Sequence, residues 1–235
     1  MRRLLSTIAL LACLAPAALV ACGGEEGSAT GLDAGLAYLP EEAPFAIAID
    51  TDLDGEQYDA IDSILAKFPL EVTSVKELLR EQLAGDGSGV DFERDLEPIL
   101  GNRFVMGAID GSFIHSSTTS DFVAAIEASD MGALEDLIQK TGAKETGEVA
   151  GATKYEDDGS VFAVEDDVVV FAGSDELLDQ ALERADGDDH LDSDTFDEAL
   201  EGLPESAAAR LYADLEALIA ADPGTQNARM VEWVG

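Results

Sequence analysis

Cysteine is confined to Cys13 and Cys22 at the very start of the 235-residue chain, so the body of the protein holds no disulfide framework. Basic residues are scarce as well: 13 Lys and Arg stand against 50 Asp and Glu, a formal charge of −37. That surface excludes a nucleic-acid-binding body, because phosphate recognition needs a basic one. Histidine occurs twice, as His115 and His190. No phosphate-binding loop, dinucleotide fingerprint or Cys-x-x-Cys pair is present. No serine sits in a Gly-x-Ser-x-Gly setting; Ser88 follows Asp86-Gly87. Acidity this strong can accompany disorder, but 46% of the residues are hydrophobic and fall in periodic blocks, which argues for a folded domain.

What is there begins with an address. Met1-Arg2-Arg3 is a short positive start, and Leu4 to Val20 is almost wholly apolar or small. This is the layout of a secretory signal. Leu19-Val20-Ala21-Cys22 resembles the lipobox of bacterial lipoproteins, and the chain turns to Gly23-Gly24-Glu25-Glu26 right after it. The resemblance implies diacylglycerol transfer to the Cys22 sulfur and cleavage between Ala21 and Cys22. Two acyl chains suffice for stable anchoring. Leu10-Leu11-Ala12-Cys13 has a similar shape but leaves too short an apolar region before it, so Cys13 reads as part of that region. Residues 1–21 are therefore expected to be a signal peptide and residues 22–37, Gly-rich and acidic, a flexible tether. The expected location is the extracytoplasmic face of the cell membrane, held by lipid on Cys22.

The remainder predicts one α+β domain over residues 38–222, with 223–235 as a tail. Phe45 to Asp50 reads as a buried strand. Tyr58, Ile61, Ile64, Leu65 and Phe68 share a helical face. Ser74-Val75-Lys76-Glu77 fits a capping box opening a second helix, and Phe92, Leu96, Ile99 and Leu100 mark a third. Arg103 to Asp110 and Phe122 to Glu127 read as strands around a Ser/Thr loop at 116–120. Asp130 caps a helix over Met131 to Thr141. Lys144 to Tyr155, Ser160 to Val164 and Val168 to Ala172 then form an antiparallel meander, and Ser174 caps the helix after it. Ser206 to Ala221 has helical propensity. Its core, Ala209 to Asp214, nevertheless echoes Phe45 to Asp50 and Phe122 to Glu127, each followed by an amphipathic stretch, and the echo favours a strand. The expected architecture is a mainly antiparallel sheet with amphipathic helices on one face, from strand–helix units in possible repetition.

Tyr38 to Asp50, Gln57 with Ala66 to Pro69, Asp91 to Gly101 and the Phe122 to Lys140 unit together resemble an actinobacterial family of secreted or lipid-anchored proteins, domain of unknown function 3352. The likeness runs from about Leu36 to Leu218. It implies an extracytoplasmic α+β domain and supplies no catalytic residues. Its members look longer than this chain, so the C-terminal tail is expected to be a truncation.

Two acidic stretches invite a metal. Asp50-Thr51-Asp52-Leu53-Asp54-Gly55 resembles the first half of a calcium loop, with oxygen ligands at positions 1, 3 and 5 and the turn glycine at 6, while position 12 is Ile61 where a bidentate Glu belongs. The competing reading makes Asp54 the cap of the following helix. Asp186 to Asp194 gathers five carboxylates around His190, either a divalent site or a solvated turn in which Asp194 caps the next helix. Asp50, Asp110, Glu127 and Asp214 end expected strands, where they form a binding rim or cap helices. The function expected is a non-catalytic binding or envelope-structural lipoprotein with no cofactor. The alternatives are a calcium-responsive module using Asp50, Asp52 and Asp54, and an envelope hydrolase.

Overall fold

The computed structural model describes residues 31–68, 72–86, 88–111, 121–203 and 206–221. Ala21, Cys22, His115 and the 116–120 loop lie outside the described residues. Eight strands, β1 (Phe45–Asp50), β2 (Arg103–Ala108), β3 (Phe122–Glu127), β4 (Lys144–Val149), β5 (Ala152–Asp157), β6 (Ser160–Glu165), β7 (Val168–Ala172) and β8 (Ala209–Ala213), join into one sheet in the order β4-β5-β6-β7-β3-β2-β1-β8. Every neighbouring pair is antiparallel. The α+β class with a mainly antiparallel sheet is thus what the chain adopts, and the expected meander is present with one strand more, since Lys144 to Tyr155 turns back at Ala150-Gly151 and splits into β4 and β5. Its tight turns carry positive φ where the primed hairpin types need it, at Asp158 (52°) with Gly159 (79°) and at Ala150 (51°) with Gly151 (88°).

The layering corrects one expectation: helices cover both faces of the sheet, not one. In β1, Ala46 and Ala48 join the core on one side while Ile47 and Ile49 join the core on the other. Period-2 alternation repeats this in β7, where Val168, Val170 and Ala172 face one way and Val169 and Phe171 the other. A strand apolar on both faces must be covered on both. On the first face lie α1 (Leu32–Leu36), α5 (Asp175–Ala185) and α6 (Ser193–Ala199), through Leu36, Leu178, Leu182 and Phe196. On the second lie α4 (Met131–Thr141), a π turn (Phe92–Leu96) and a 3₁₀ turn (Glu97–Ile99), through Leu134, Leu137 and Ile99. Outside them α2 (Glu56–Leu65) and α3 (Val75–Asp86) make a third cluster with Tyr58, Leu79, Leu83 and Phe92. The helix expected around Phe92 is therefore a π turn running into a 3₁₀ turn. Asp91 caps it, its side chain accepting from the Arg94 N–H at 3.0 Å.

A second correction concerns the tether. Residues 31–37 belong to the domain: α1 lies across β2 and β3, and Leu32 and Leu36 are buried. Gly35 is the close-approach point, since a Cβ there would stand 2.6 Å from Val105 Cγ2. Gly35→Ala should cost about 1–2 kcal/mol of stability by forcing α1 off the sheet, the helix propensity of alanine offsetting part of the strain; a urea titration measures it.

Caps follow the local chemistry. Asp130 accepts from the Ala133 N–H at 3.0 Å and Ser174 from the Leu177 N–H at 3.2 Å, both as expected. Two caps differ from expectation. Asp192, not Asp194, caps α6, accepting from the Thr195 N–H at 2.6 Å. Gly55, not Asp54, stands at the N-cap of α2. Ala209–Ala213 is indeed a strand, pairing with β1, and α7 (Leu215–Ala221) follows it, capped by Asp214.

Candidate functional site

The second face of the sheet does not close fully against its helices. Phe104, Ile126, Phe162, Val169 and Phe171 form a floor beneath a cavity of about 100 Å³. Leu134, Leu137, Ile138 and Thr141 of α4 form one wall, Phe92, Leu96, Ile99 and Leu100 a second, and Leu79 and Leu83 of α3 a third. The spacing of each wall set puts its residues on the inner face of its own element. Thr51 and Thr141 are the polar residues of this lining. Thr51 is buried and its hydroxyl is spoken for, donating to the Asn102 carbonyl at 2.5 Å and accepting from the Gly101 N–H at 2.8 Å. The cavity is therefore an apolar space, and apolar voids of this kind stay dry.

A polar hollow of about 140 Å³ adjoins it, lined by Thr51, Asp52, Leu53, Asp54, Lys76, Glu97, Leu100 and Gly101. Thr51 and Leu100 are common to both walls. Lys76 Nζ stands 2.7 Å from Asp54 Oδ1 and 2.7 Å from Glu97 Oε1. Hydrogen bonds to Asp54 and Glu97 outweigh the loss of solvation and raise the pKa of this ammonium above its ordinary value. Below the hollow, the buried Tyr58 hydroxyl donates to the Asp50 carbonyl at 2.5 Å, fixing the end of β1. Burial, then Asp50 and Asp52, push that phenol well above its usual range.

The acidic stretch from Asp50 to Asp54 thus frames the hollow. Asp50 Oδ1 accepts from the Asp52 N–H at 2.9 Å and Asp52 Oδ1 from the Asp54 N–H at 3.2 Å, turn-forming bonds within the loop. Asp54 is turned to Lys76. Among the described residues, no group of three or more His, Cys, Asp or Glu is arranged to hold a metal ion. In the other acidic stretch the His190 ring meets the Gly187 carbonyl at 3.0 Å and the His190 backbone bridges to Pro40, so the turn joins the N-terminal segment to α6. The strand-end acids do not form one rim. β1 and β3 both run antiparallel to β2, which places Asp50 and Glu127 at one end of the sheet and Asp110 and Asp214 at the other.

Leu79 and Leu83, and Leu134, Leu137 and Ile138, fall at helical spacing in the sequence, yet nothing in that spacing marks a void. A cavity is a mismatch of volume between layers, visible only once the layers are assembled. Residues 4–231 match the model of a family described as "Protein of unknown function (DUF3352)". No curated protein and no solved structure matches the chain.

Proposed function

Starting from a chain that belongs to the DUF3352 family, we propose that it is a lipid-anchored, extracytoplasmic binding module whose site is the apolar cavity beneath α4. The cavity carries this reading. Folded interiors hold few voids larger than a water molecule, and at about 24 cal/mol per Å³ a void of this size costs about 2 kcal/mol. A binding site for an apolar group gives that cost a purpose, and the lining offers such a group contact from the sheet and from three helical walls. The lipobox-like Leu19 to Cys22 supports the location. The anchor in this reading is the lipid on Cys22; among the described residues no helix is long and apolar enough to cross a membrane.

Two measurements test the proposal. For the anchor, Cys22→Ser leaves a larger precursor outside the acylated fraction, and globomycin, which blocks only the cleavage, leaves a larger precursor that still carries the diacylglycerol; an unchanged band overturns it. For the site, decanol binds saturably in a calorimetric titration, its chain end filling the cavity, and Val169→Ile weakens that binding several-fold. The same change adds a methylene to the void and keeps the β-branch that a strand prefers. It should therefore stabilise the fold by about 0.5–1 kcal/mol, or about 1–4 °C in Tm. Weaker binding in a more stable protein cannot come from misfolding. Unchanged decanol binding in Val169→Ile sinks the assignment of the cavity.

A further inference from the structure

What the cavity admits depends on its volume and on how firmly its walls are held. It measures about 100 Å³, while a void that holds a benzene ring measures ~150 Å³. A six-membered ring is therefore too large for it, and the end of an extended alkyl chain, which is narrower, is not. Nothing in the lining asks for a polar atom inside. The Thr51 hydroxyl is engaged with the Asn102 carbonyl and the Gly101 N–H, and the Thr141 hydroxyl donates to the Ile138 carbonyl at 3.0 Å.

Selection by size works only where walls resist spreading, so that a larger group meets a clash. Here ion pairs tie the three walls to one another. Arg80 of α3 meets Glu93 of the π turn, Lys76 of α3 meets Glu97 of the 3₁₀ turn, and Lys140 of α4 meets Asp95 of the π turn. These ties are unequal. Arg80 and Glu93 are both about half exposed, and pairs in such contact with water contribute little. The Asp95 side chain is only 10% exposed. Besides Lys140, its carboxylate takes a two-pronged contact from Arg94, at 2.9 and 3.0 Å, and the Asp91 N–H at 2.6 Å. Arg94, then Lys140, hold it well below the usual carboxylate range in spite of its burial. Asp95 and Lys140 each stand next in sequence to a lining residue, Leu96 and Thr141, so their contact sets the distance between two walls of the cavity.

We infer that the site takes the end of a single unbranched alkyl chain and refuses a ring, with Asp95 as the positioning residue that keeps α4 and the π turn at the separation this requires. The inference rests on the binding role proposed above. At that volume only the last few carbons enter, so the ligand class is set by the tail and not by the head.

Calorimetric titration of the intact mature protein with two alcohols of ten carbons each, decanol and 4-cyclohexylbutan-1-ol, tests this selection. Decanol should bind about tenfold more tightly, the factor expected when about two methylenes of the ring-ended alcohol stay outside the cavity. Val169→Ala removes two methyl groups from the floor and should bring the ring-ended alcohol close to parity. Asp95→Asn and Lys140→Met leave the lining itself untouched, and each should narrow the gap several-fold by letting the walls part. A gain for the ring-ended alcohol with decanol still bound cannot come from damage to the fold. Equal affinities in the parent overturn the selection and leave the apolar site standing. A gap that closes in Val169→Ala but persists in Asp95→Asn and Lys140→Met overturns the role of Asp95. Absence of decanol binding to the parent overturns the binding role itself.

Discussion

Phe162→Ala is expected to lower the free energy of unfolding by about 3–5 kcal/mol. Phe162 sits on β6, 2% exposed, with its ring stacked on Tyr155 at 5.2 Å and tilted against Phe171 at 5.8 Å. Its other edge is part of the cavity floor. Elsewhere in a core, neighbours can relax into the space a truncation leaves. Here one neighbour is already empty, so the new space joins the old and little collapses. That geometry also makes the loss recoverable. A site enlarged on its apolar side should take a longer alkyl chain than the parent does. At a free ligand concentration 100 times its Kd, binding returns about 2.7 kcal/mol. Urea unfolding of Phe162→Ala with and without decanol measures both quantities. A large loss with no recovery would mean that the ring only supports the sheet and does not bound a ligand site.

The alternation that placed the sheet was legible, and the number of covered faces was legible too once the alternation is taken seriously. Ala46, Ile47, Ala48 and Ile49 are all apolar, and a half-exposed strand would have shown polar residues at every second place. Helix starts could be read because Asp130 and Ser174 are side chains that do one job, accepting an orphan N–H. β8 was harder. Ala209 to Ala213 has no strong β-formers beyond Leu211 and Tyr212, and only its echo of β1, with which it pairs, outweighed helical propensity. α1 carries almost no periodic signal, being five residues long, preceded by glycine, and holding an acid and a second glycine. Its place in the core comes from tertiary contact with β2 and β3. The acids of Asp50 to Asp54 could be seen but not assigned. Their role depends on Lys76 and Glu97, more than twenty residues further on, whose approach to them is a property of the fold.

On the first face of the sheet, replacing Asp175 and Asp179 together by Asn is expected to cost about 2–3 kcal/mol. Lys154 of β5 has a side chain only 8% exposed, and its ammonium lies 2.6 Å from Asp175 Oδ1 and 2.5 Å from Asp179 Oδ1. The two acids are four residues apart in the first turns of α5, hence on one face, and they clamp the end of that helix to the strand. Removing both leaves a buried ammonium without a counter-charge, a fault that costs about 3–5 kcal/mol when fully buried. Asp175 and Asp179 are 63% and 37% exposed, and solvent screening reduces the figure accordingly. Lys154→Met behaves differently. It keeps the buried stem, deletes the charge, and leaves two carboxylates that water can reach, so its effect should be close to zero. The pH dependence separates the two cases by sign. In the parent, burial pulls the Lys154 pKa down but the hydrogen bonds its ammonium donates to Asp175 and Asp179 more than restore it, and it ends above the ordinary 10.5. Its contribution is then fully present below pH 10.5 and is lost as the pH climbs through the higher folded value. In the double Asn variant only burial remains, the folded pKa falls below the unfolded one, and stability rises with pH through that window as the proton leaves. Chemical unfolding of both proteins between neutral and strongly alkaline pH should show the deficit of the variant shrinking. The body of the chain has no cysteine to react under those conditions. A deficit that stays constant would assign the loss to packing at the end of α5 and not to the charge on Lys154.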